Sequence, residues 1–248
     1  MSTVPVPSES ASRDVPTEVV AIDGPAGAGK STVARALAKA LGWAHLDTGA
    51  MYRAATIRLL DLGAVTVIGA RVTVDAARVA ACVARLGLAI DGDGHVRVDG
   101  ADVTARLREP RVDAAVSAVA ALAVVRERLR DTQREFARGR PTVAEGRDIG
   151  TVVFPRAAFK IWLDASVEER ARRRRVDHAG DGRDVPLRDV VADLARRDAL
   201  DSGRSLAPLA RATDATAVDT TGLSIDEVVA RLLAIVAVRT AKTREGAR

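Results

Sequence analysis

One cysteine, Cys82, stands in a chain of 248 residues, and a single thiol can neither close an internal disulfide nor build a multi-cysteine zinc site. That usage suits a reducing compartment, so the cytoplasm is the expected location. Aromatic residues make up 2% of the chain, too few for stacking on exposed rings to be the main binding device. The core is therefore expected to be aliphatic. Asparagine is absent, which removes the Asn-Lys-x-Asp element of guanine-specific switches. The longest uncharged run, Ala114 to Val125, is twelve residues against the roughly 20 a helix needs to cross a bilayer. No membrane span is expected. Residues 1–17 carry Pro5, Pro7 and Pro16 among serines and threonines, with no basic stretch followed by an apolar run. They read as a loose tail rather than a secretory signal.

What is present is a globular composition, 48% hydrophobic and 29% charged, enough for one or two compact units. The net charge is +5, and of 38 basic residues 34 are arginine and four are lysine. Two readings of this bias stand side by side. Guanidinium groups grip phosphate with a planar, two-pronged donor set, which fits nucleotides or nucleic acid as partners. Genomic base composition produces the same bias, and the abundance of Ala and Val agrees with it.

Along the chain, the apolar run Val19 to Ile22 breaks into a glycine-rich segment, after which Val33, Leu37 and Leu41 recur at helical spacing. Thr142 to Ala144, Phe159 to Leu163 and Ala217 to Asp219 read as further buried strands. Helical patterns lie between them: Arg126 to Phe136, a helix opened by Ser166-Val167-Glu168-Glu169, and Val228 to Val236 after Ser224-Ile225-Asp226-Glu227. Strands alternating with helices predict a parallel sheet covered on both faces. Leu86 to Val103 departs from this rhythm, alternating apolar and polar residues around Asp91-Gly92-Asp93-Gly94 with a second turn at Asp99-Gly100, which is hairpin chemistry. The expected organisation is a tail at 1–17, a core from 18–60 and 113–248, an insertion at 61–112, and a shorter insertion near Arg172 to Pro186 around Gly180 and Gly182.

Gly24-Pro25-Ala26-Gly27-Ala28-Gly29-Lys30-Ser31 matches G-x-x-x-x-G-K-[ST] and lies between a predicted strand and a predicted helix. Glycines let successive backbone amides turn inward on a phosphate, the helix start adds the positive end of its dipole, and Lys30 adds a point charge. Ser31 is expected to hold Mg²⁺, with Thr32 beside it. Asp23 ends the strand and either caps or orients the loop. A nucleoside triphosphate is the implied ligand, and a small-molecule kinase fits the length better than a motor ATPase.

Three further segments narrow this: Leu46-Asp47-Thr48-Gly49-Ala50-Met51-Tyr52-Arg53, Glu145-Gly146-Arg147-Asp148-Ile149-Gly150-Thr151, and Arg197-Asp198 with Asp201, Arg204 and Ala207-Pro208-Leu209. Together with the loop, and in this order from about Val19 to Val236, they resemble the bacterial cytidylate kinases. The resemblance implies an α/β P-loop kinase core built on a five-stranded parallel sheet, an inserted subdomain for the nucleoside monophosphate that contains a small antiparallel sheet, and a mobile lid at 170–186. It implies transfer of a phosphoryl group from ATP to CMP or dCMP with Mg²⁺, by a protein expected to be a monomer without a stable nucleic acid partner or membrane association. Carried over residue by residue, Lys30, Arg147, Arg173 and Arg174 would act on the moving phosphoryl group, and Arg170 would join the loop in holding ATP. Arg53, Arg147 and Arg204 would grip the acceptor phosphate near Thr48 and Tyr52, Arg197 and Asp201 would meet its sugar, and Ser117, Arg126 and Asp148 would read the base.

The chemistry agrees with that resemblance independently. A monophosphate acceptor has its second pKa at about 6 and is already mostly ionised near neutrality, so positioning and charge neutralisation are the task and no nucleophilic triad is required. His45, His95 and His178 have no catalytic spacing and are expected to be structural or superficial. Ser117 and Arg126, nine residues apart, reach one pocket only if the helix between them bends or breaks. Four positions depart from some relatives: Glu145 in place of Asp, Ala26 in place of Ser, and Ala123-Val124 in place of Pro-Arg. Two rivals remain open, a kinase for another acceptor such as UMP, AMP or a shikimate-like acid, and an arginine-rich nucleic-acid binder.

Overall fold

The computed structural model describes residues 18–245 apart from 70, 92–93 and 181, with side chains described as far as Ala237. The expected tail at 1–17 and the centre of the Asp91 to Gly94 turn lie outside the described residues. The elements run β1 (Val19–Asp23), α1 (Lys30–Leu41), β2 (Ala44–Asp47), α2 (Thr48–Asp61), β3 (Val65–Ile68), β4 (Arg71–Val74), α3 (Ala76–Ala84), β5 (Leu88–Ile90), β6 (Val96–Val98) and β7 (Ala101–Asp102). After a short 3₁₀ turn (Thr104–Arg106) come α4 (Pro110–Val119), α5 (Ala123–Ala137), β8 (Thr142–Gly146) and a π-helical turn (Ile149–Val153). β9 (Phe159–Asp164), α6 (Val167–Gly180), α7 (Leu187–Ser202), β10 (Thr216–Asp219) and α8 (Ile225–Glu245) complete the chain.

β1 is buried throughout, and its side chains alternate between two aliphatic cores. Val19 and Ala21 join Leu46, Ala144 and residues of α2, α4 and α5 on one face; Val20 and Ile22 join Val33, Leu37, Ile161, Val218 and Leu232 on the other. β1 lies at the centre of a five-stranded sheet of order β10-β9-β1-β8-β2, in which every pairing is parallel. Parallel strands bring their carboxyl ends to one edge, so Asp23, Asp47 and Glu145 finish on the same side. Asp23 pairs with Gly146 and Asp47 with Glu145 in register.

The insertion carries two small antiparallel sheets, the hairpin β3-β4 and the three-stranded β5-β6-β7, the second where the alternating pattern predicted it. The shorter insertion is less of a loop than its glycines suggested, because α6 stays helical as far as Gly180 and α7 starts at Leu187. Both predicted serine caps form: Ser166 Oγ accepts from the Glu169 amide at 3.2 Å, and Ser224 Oγ accepts from the Glu227 amide at 3.3 Å. Among the described residues no helix is long and apolar enough to cross a membrane.

At Gly24 the chain leaves β1 against the neighbouring strand: its φ is 153°, and a Cβ there would lie 1.9 Å from the Leu163 carbonyl oxygen. Only a hydrogen fits. Gly24→Ala is expected to cost on the order of 3 kcal/mol, since backbone on both sides must move. Chemical denaturation checks this, and a midpoint equal to that of the parent chain would show that β9 yields here.

Candidate active site

The loop between β1 and α1 curls with Gly27 and Gly29 at φ 79° and 86°, and α1 begins at Lys30 with no side chain capping its first amides. Those amides are the unspent donors of a helix N-terminus, which suits an anion. Lys30 is 6% exposed and its Nζ donates to the Pro25 carbonyl at 2.7 Å. Burial pushes its ammonium down to about 7; the nearby Arg147 adds to this, and Glu145, Asp23 and Asp201 oppose it. An incoming negative charge would relieve that strain.

The loop is held from behind. Arg170, on α6, donates to the Ala26 carbonyl at 3.0 Å and to Asp198 at 2.6 Å, while Asp198 accepts from the Ala26 amide at 3.2 Å. Arg173 donates to the Thr220 carbonyl at 2.7 Å and reaches the Ala28 carbonyl at 3.4 Å. In front, Ser31 Oγ donates to Glu145 Oε2 at 2.9 Å, and the other carboxylate oxygen of this buried residue has no hydrogen-bond partner. His45 Nε2 stands 3.4 Å from that oxygen, closer to the site than sequence reasoning placed it. Burial, reinforced by the charge of Asp47, pushes the Glu145 carboxyl up.

A hydroxyl and an under-used carboxylate beside a phosphate loop are hard oxygen donors of the kind Mg²⁺ takes. Among the described residues there is no group of three or more His, Cys, Asp or Glu fit for a metal. A cation here would therefore complete its shell with phosphate and water oxygens, as Mg²⁺ does.

A cleft of about 980 Å³ runs from this loop to a second group of cations, and its lining includes Lys30, Arg53, Arg147, Arg173, Arg174 and Arg197. Arg53 is 8% exposed; it donates to the Leu107 carbonyl at 2.8 Å and pairs with Asp113 at 2.8 Å. Arg147 Nε donates to Asp201 at 2.8 Å, and Arg204 pairs with the other oxygen of the same carboxylate. Arg197 Nε has no hydrogen-bond partner. Burial, then the charges of Arg53, Arg147 and Arg174, push its guanidinium down to about 10. So many cations drawn together make an anion site.

The three residues expected to read a base do not line this cleft. α4 ends at Val119 and α5 starts at Ala123, so the helix between Ser117 and Arg126 breaks. Arg126 pairs with Asp148, donates to the Ala120 carbonyl at 3.1 Å and lies 5.6 Å over the Tyr52 ring. Burial pushes the Asp148 carboxyl up, against the pull of Arg126. Thr48 Oγ1 donates to the Glu145 carbonyl at 2.6 Å. Asp113, the grip of Asp198 on the loop and the placing of Glu145 against Ser31 escaped sequence reasoning; for Glu145 the available signal was an acid near the end of a strand beside the loop strand.

The family described as Cytidylate kinase matches residues 20–238. A cytidylate kinase from Geobacter sulfurreducens is 48% identical over 221 residues, which is 88% of this chain and 92% of that one. Cytidylate kinases from Pelotomaculum thermopropionicum and Nocardia farcinica are 47% and 48% identical, over 87% and 91% of this chain and 94% and 96% of theirs.

The depressed Lys30 ammonium has a measurable consequence. In the unliganded chain Lys30 is protonated below about pH 7 and loses its proton above it, whereas triphosphate charge favours the protonated form. Binding a nucleoside triphosphate without divalent cation at about pH 8 is therefore expected to take up close to one proton, and affinity is expected to fall as pH rises through this range. Calorimetry in buffers of differing ionisation enthalpy, compared with Lys30→Met, checks this.

Proposed function

The chain belongs to the cytidylate kinase family, and from that membership we propose that it transfers the γ-phosphoryl group of ATP to CMP or dCMP, releasing ADP and CDP or dCDP. The observation that carries the reading is the cleft itself, in which a phosphate loop and a cluster of guanidinium groups face one space. Two polyanions placed end to end need such a surface, and a phosphorylated acceptor needs little else.

In this reading the loop amides from Gly27 to Gly29 and Lys30 hold the β- and γ-phosphates. Ser31 and Glu145 hold Mg²⁺, which when bound neutralises developing charge on the phosphate oxygens. Arg53, Arg147 and Arg204 hold the acceptor phosphate, with Arg197, whose Nε has no partner, adding charge as well as meeting the sugar with Asp201. Arg173 and Arg174 stabilise charge on the transferring group. Arg147 reaches between the two phosphates, since it is near both Lys30 and Asp201. The phosphate oxyanion attacks as it stands, so no base removes a proton.

Base choice follows from the Arg126–Asp148 pair and Ser117. Cytosine presents an exocyclic amine beside acceptors at N3 and O2, which a carboxylate and a guanidinium match. Uracil presents a carbonyl where cytosine has its amine, setting two acceptors face to face. A site whose buried polar group is left unpaired rejects the wrong base strongly.

A coupled assay of ADP release over CMP, dCMP, UMP and AMP is expected to rank CMP and dCMP first, and equal turnover of AMP overturns the assignment. Lys30→Met is expected to lower kcat roughly a thousandfold. Asp148→Asn is expected to narrow the preference for CMP over UMP by about a hundredfold while leaving the ATP KM near its original value. Undiminished discrimination against UMP removes Asp148 from base recognition.

A further inference from the structure

Asp113, on the first turn of α4, meets three guanidinium groups from three parts of the fold. Its Oδ1 lies 2.8 Å from Arg53 Nη2 on α2 and 3.4 Å from Arg174 Nη2 on α6, and its Oδ2 lies 3.4 Å from Arg183 Nη1 beyond α6. The side chain is 17% exposed. Asp113 itself is not among the residues lining the cleft, whereas Arg53 and Arg174 are. Burial alone would push the carboxyl up, but Arg53 and Arg174, with Arg197 further off, hold it below the usual carboxylate range.

We infer that Asp113 is a positioning residue for the acceptor phosphate: it fixes Arg53 from behind and ties that arginine to the cations of α6. The inference rests on the proposed kinase reading. The three contacts are unequal, and the inequality gives the mechanism. Arg53 is held at both terminal nitrogens, Nη1 on the Leu107 carbonyl and Nη2 on Asp113, each at 2.8 Å. Its plane is thereby set, and its remaining N–H donors are unspent for a phosphate. Arg174 and Arg183 sit at the longer 3.4 Å, attracted but not locked. One carboxylate thus holds the acceptor-side arginine firmly and the α6 side loosely. A phosphate bound by Arg53 draws on the same local charge that restrains Arg174, so occupancy of the acceptor site is felt by a residue facing the donor phosphates. Asp113 supplies one point of that clamp and the Leu107 carbonyl the other, so loss of the carboxylate frees the Arg53 plane to turn about the remaining bond.

The test is a kinetic cycle on the full chain, using Asp113→Asn, Arg53→Lys and the double variant, with CMP and ATP each varied. Asp113→Asn is nearly isosteric and removes the charge that orients Arg53. It is expected to raise the CMP KM about tenfold while the ATP KM changes less than about twofold and kcat stays within about threefold. Because the effect passes through Arg53, the double variant is expected to be no more than about twofold worse in CMP KM than Arg53→Lys alone. Unchanged CMP KM, equal losses for both substrates, or multiplicative losses in the double variant each overturn the inference. Thermal unfolding of Asp113→Asn accompanies the kinetics. Should that variant fail to fold, Asp113→Glu, which keeps the charge but displaces it, is expected to raise the CMP KM selectively, and a parental CMP KM there also overturns the inference. If the parent chain does not turn over CMP, the kinase reading fails; if the parent turns over CMP and the variants do not split the two KM values, this inference fails alone.

Discussion

Two backbone amides, those of Ile149 and Gly150, reach the Asp23 carboxylate at 2.8 and 2.7 Å, and the geometry of the cleft depends on that contact. Asp23 is the last residue of β1 before the phosphate loop, while Ile149 and Gly150 open the turn after β8. The bonds lock the exit of one strand to the exit of its neighbour. Arg147 and Asp148 lie between the strand end and that turn, so Arg147 faces the cleft and Asp148 turns to Arg126 as a consequence of a backbone constraint. The arrangement has a cost: burial pushes the Asp23 carboxyl up to about 6, despite the two amides that favour its charge. Hydrogen bonds to a charged acceptor, about 1.5–3 kcal/mol each, offset much of it.

The remaining electrostatics follow one pattern, in which each cation is supported by a carboxylate set behind it. Asp201 stands behind Arg147 and Arg204, Asp113 behind Arg53 and Arg174, and Asp198 behind Arg170. Buried guanidinium groups drawn together without such partners would repel one another and lose hydration. Partners that neutralised them completely would leave nothing to attract a substrate. Arg197 and Lys30, both depressed first by burial and then by neighbouring cations, have the least carboxylate support, one at each end of the cleft. The unliganded site is thus short of negative charge in the places where polyphosphate would sit.

Much of this could be read from the residues because local chemistry dictates it. The loop declares itself by glycine spacing, β1 by an apolar run, and the helices after Ser166 and Ser224 by their capping residues. β2 was not legible: it is four residues long, includes His45 and Asp47, and only Leu46 is buried, so it has neither the length nor the apolar character of a strand until it pairs with β8. The β3-β4 hairpin was also hidden, since only Val65 of β3 is fully buried and Ile68, 77% exposed, puts an apolar residue where the alternation calls for a polar one. Within the site, residues embedded in contiguous motifs were recoverable. Asp113 was not, nor was the part played by Asp198 within its motif, because what they do is set by which arginines arrive from helices far away in sequence.

The same economy of groups bears on a problem any kinase of this kind faces, which is water. Water is a weak nucleophile whose attack on a phosphoryl group is helped by a base, whereas a phosphate dianion attacks without one. Among the described residues His45 is the only histidine lining the cleft, and it stands 3.4 Å from Glu145, whose other oxygen accepts from Ser31. That imidazole sits at the cation end, beside the loop, and not among the arginines where an acceptor would enter. The acceptor end offers guanidinium groups, which stay protonated and cannot take a proton from water. The acceptor end thus supplies charge and position, which serve an oxyanion, while the carboxylates that line the cleft are carried by the strand ends (Asp47, Glu145) and by α6 (Glu169, Asp177).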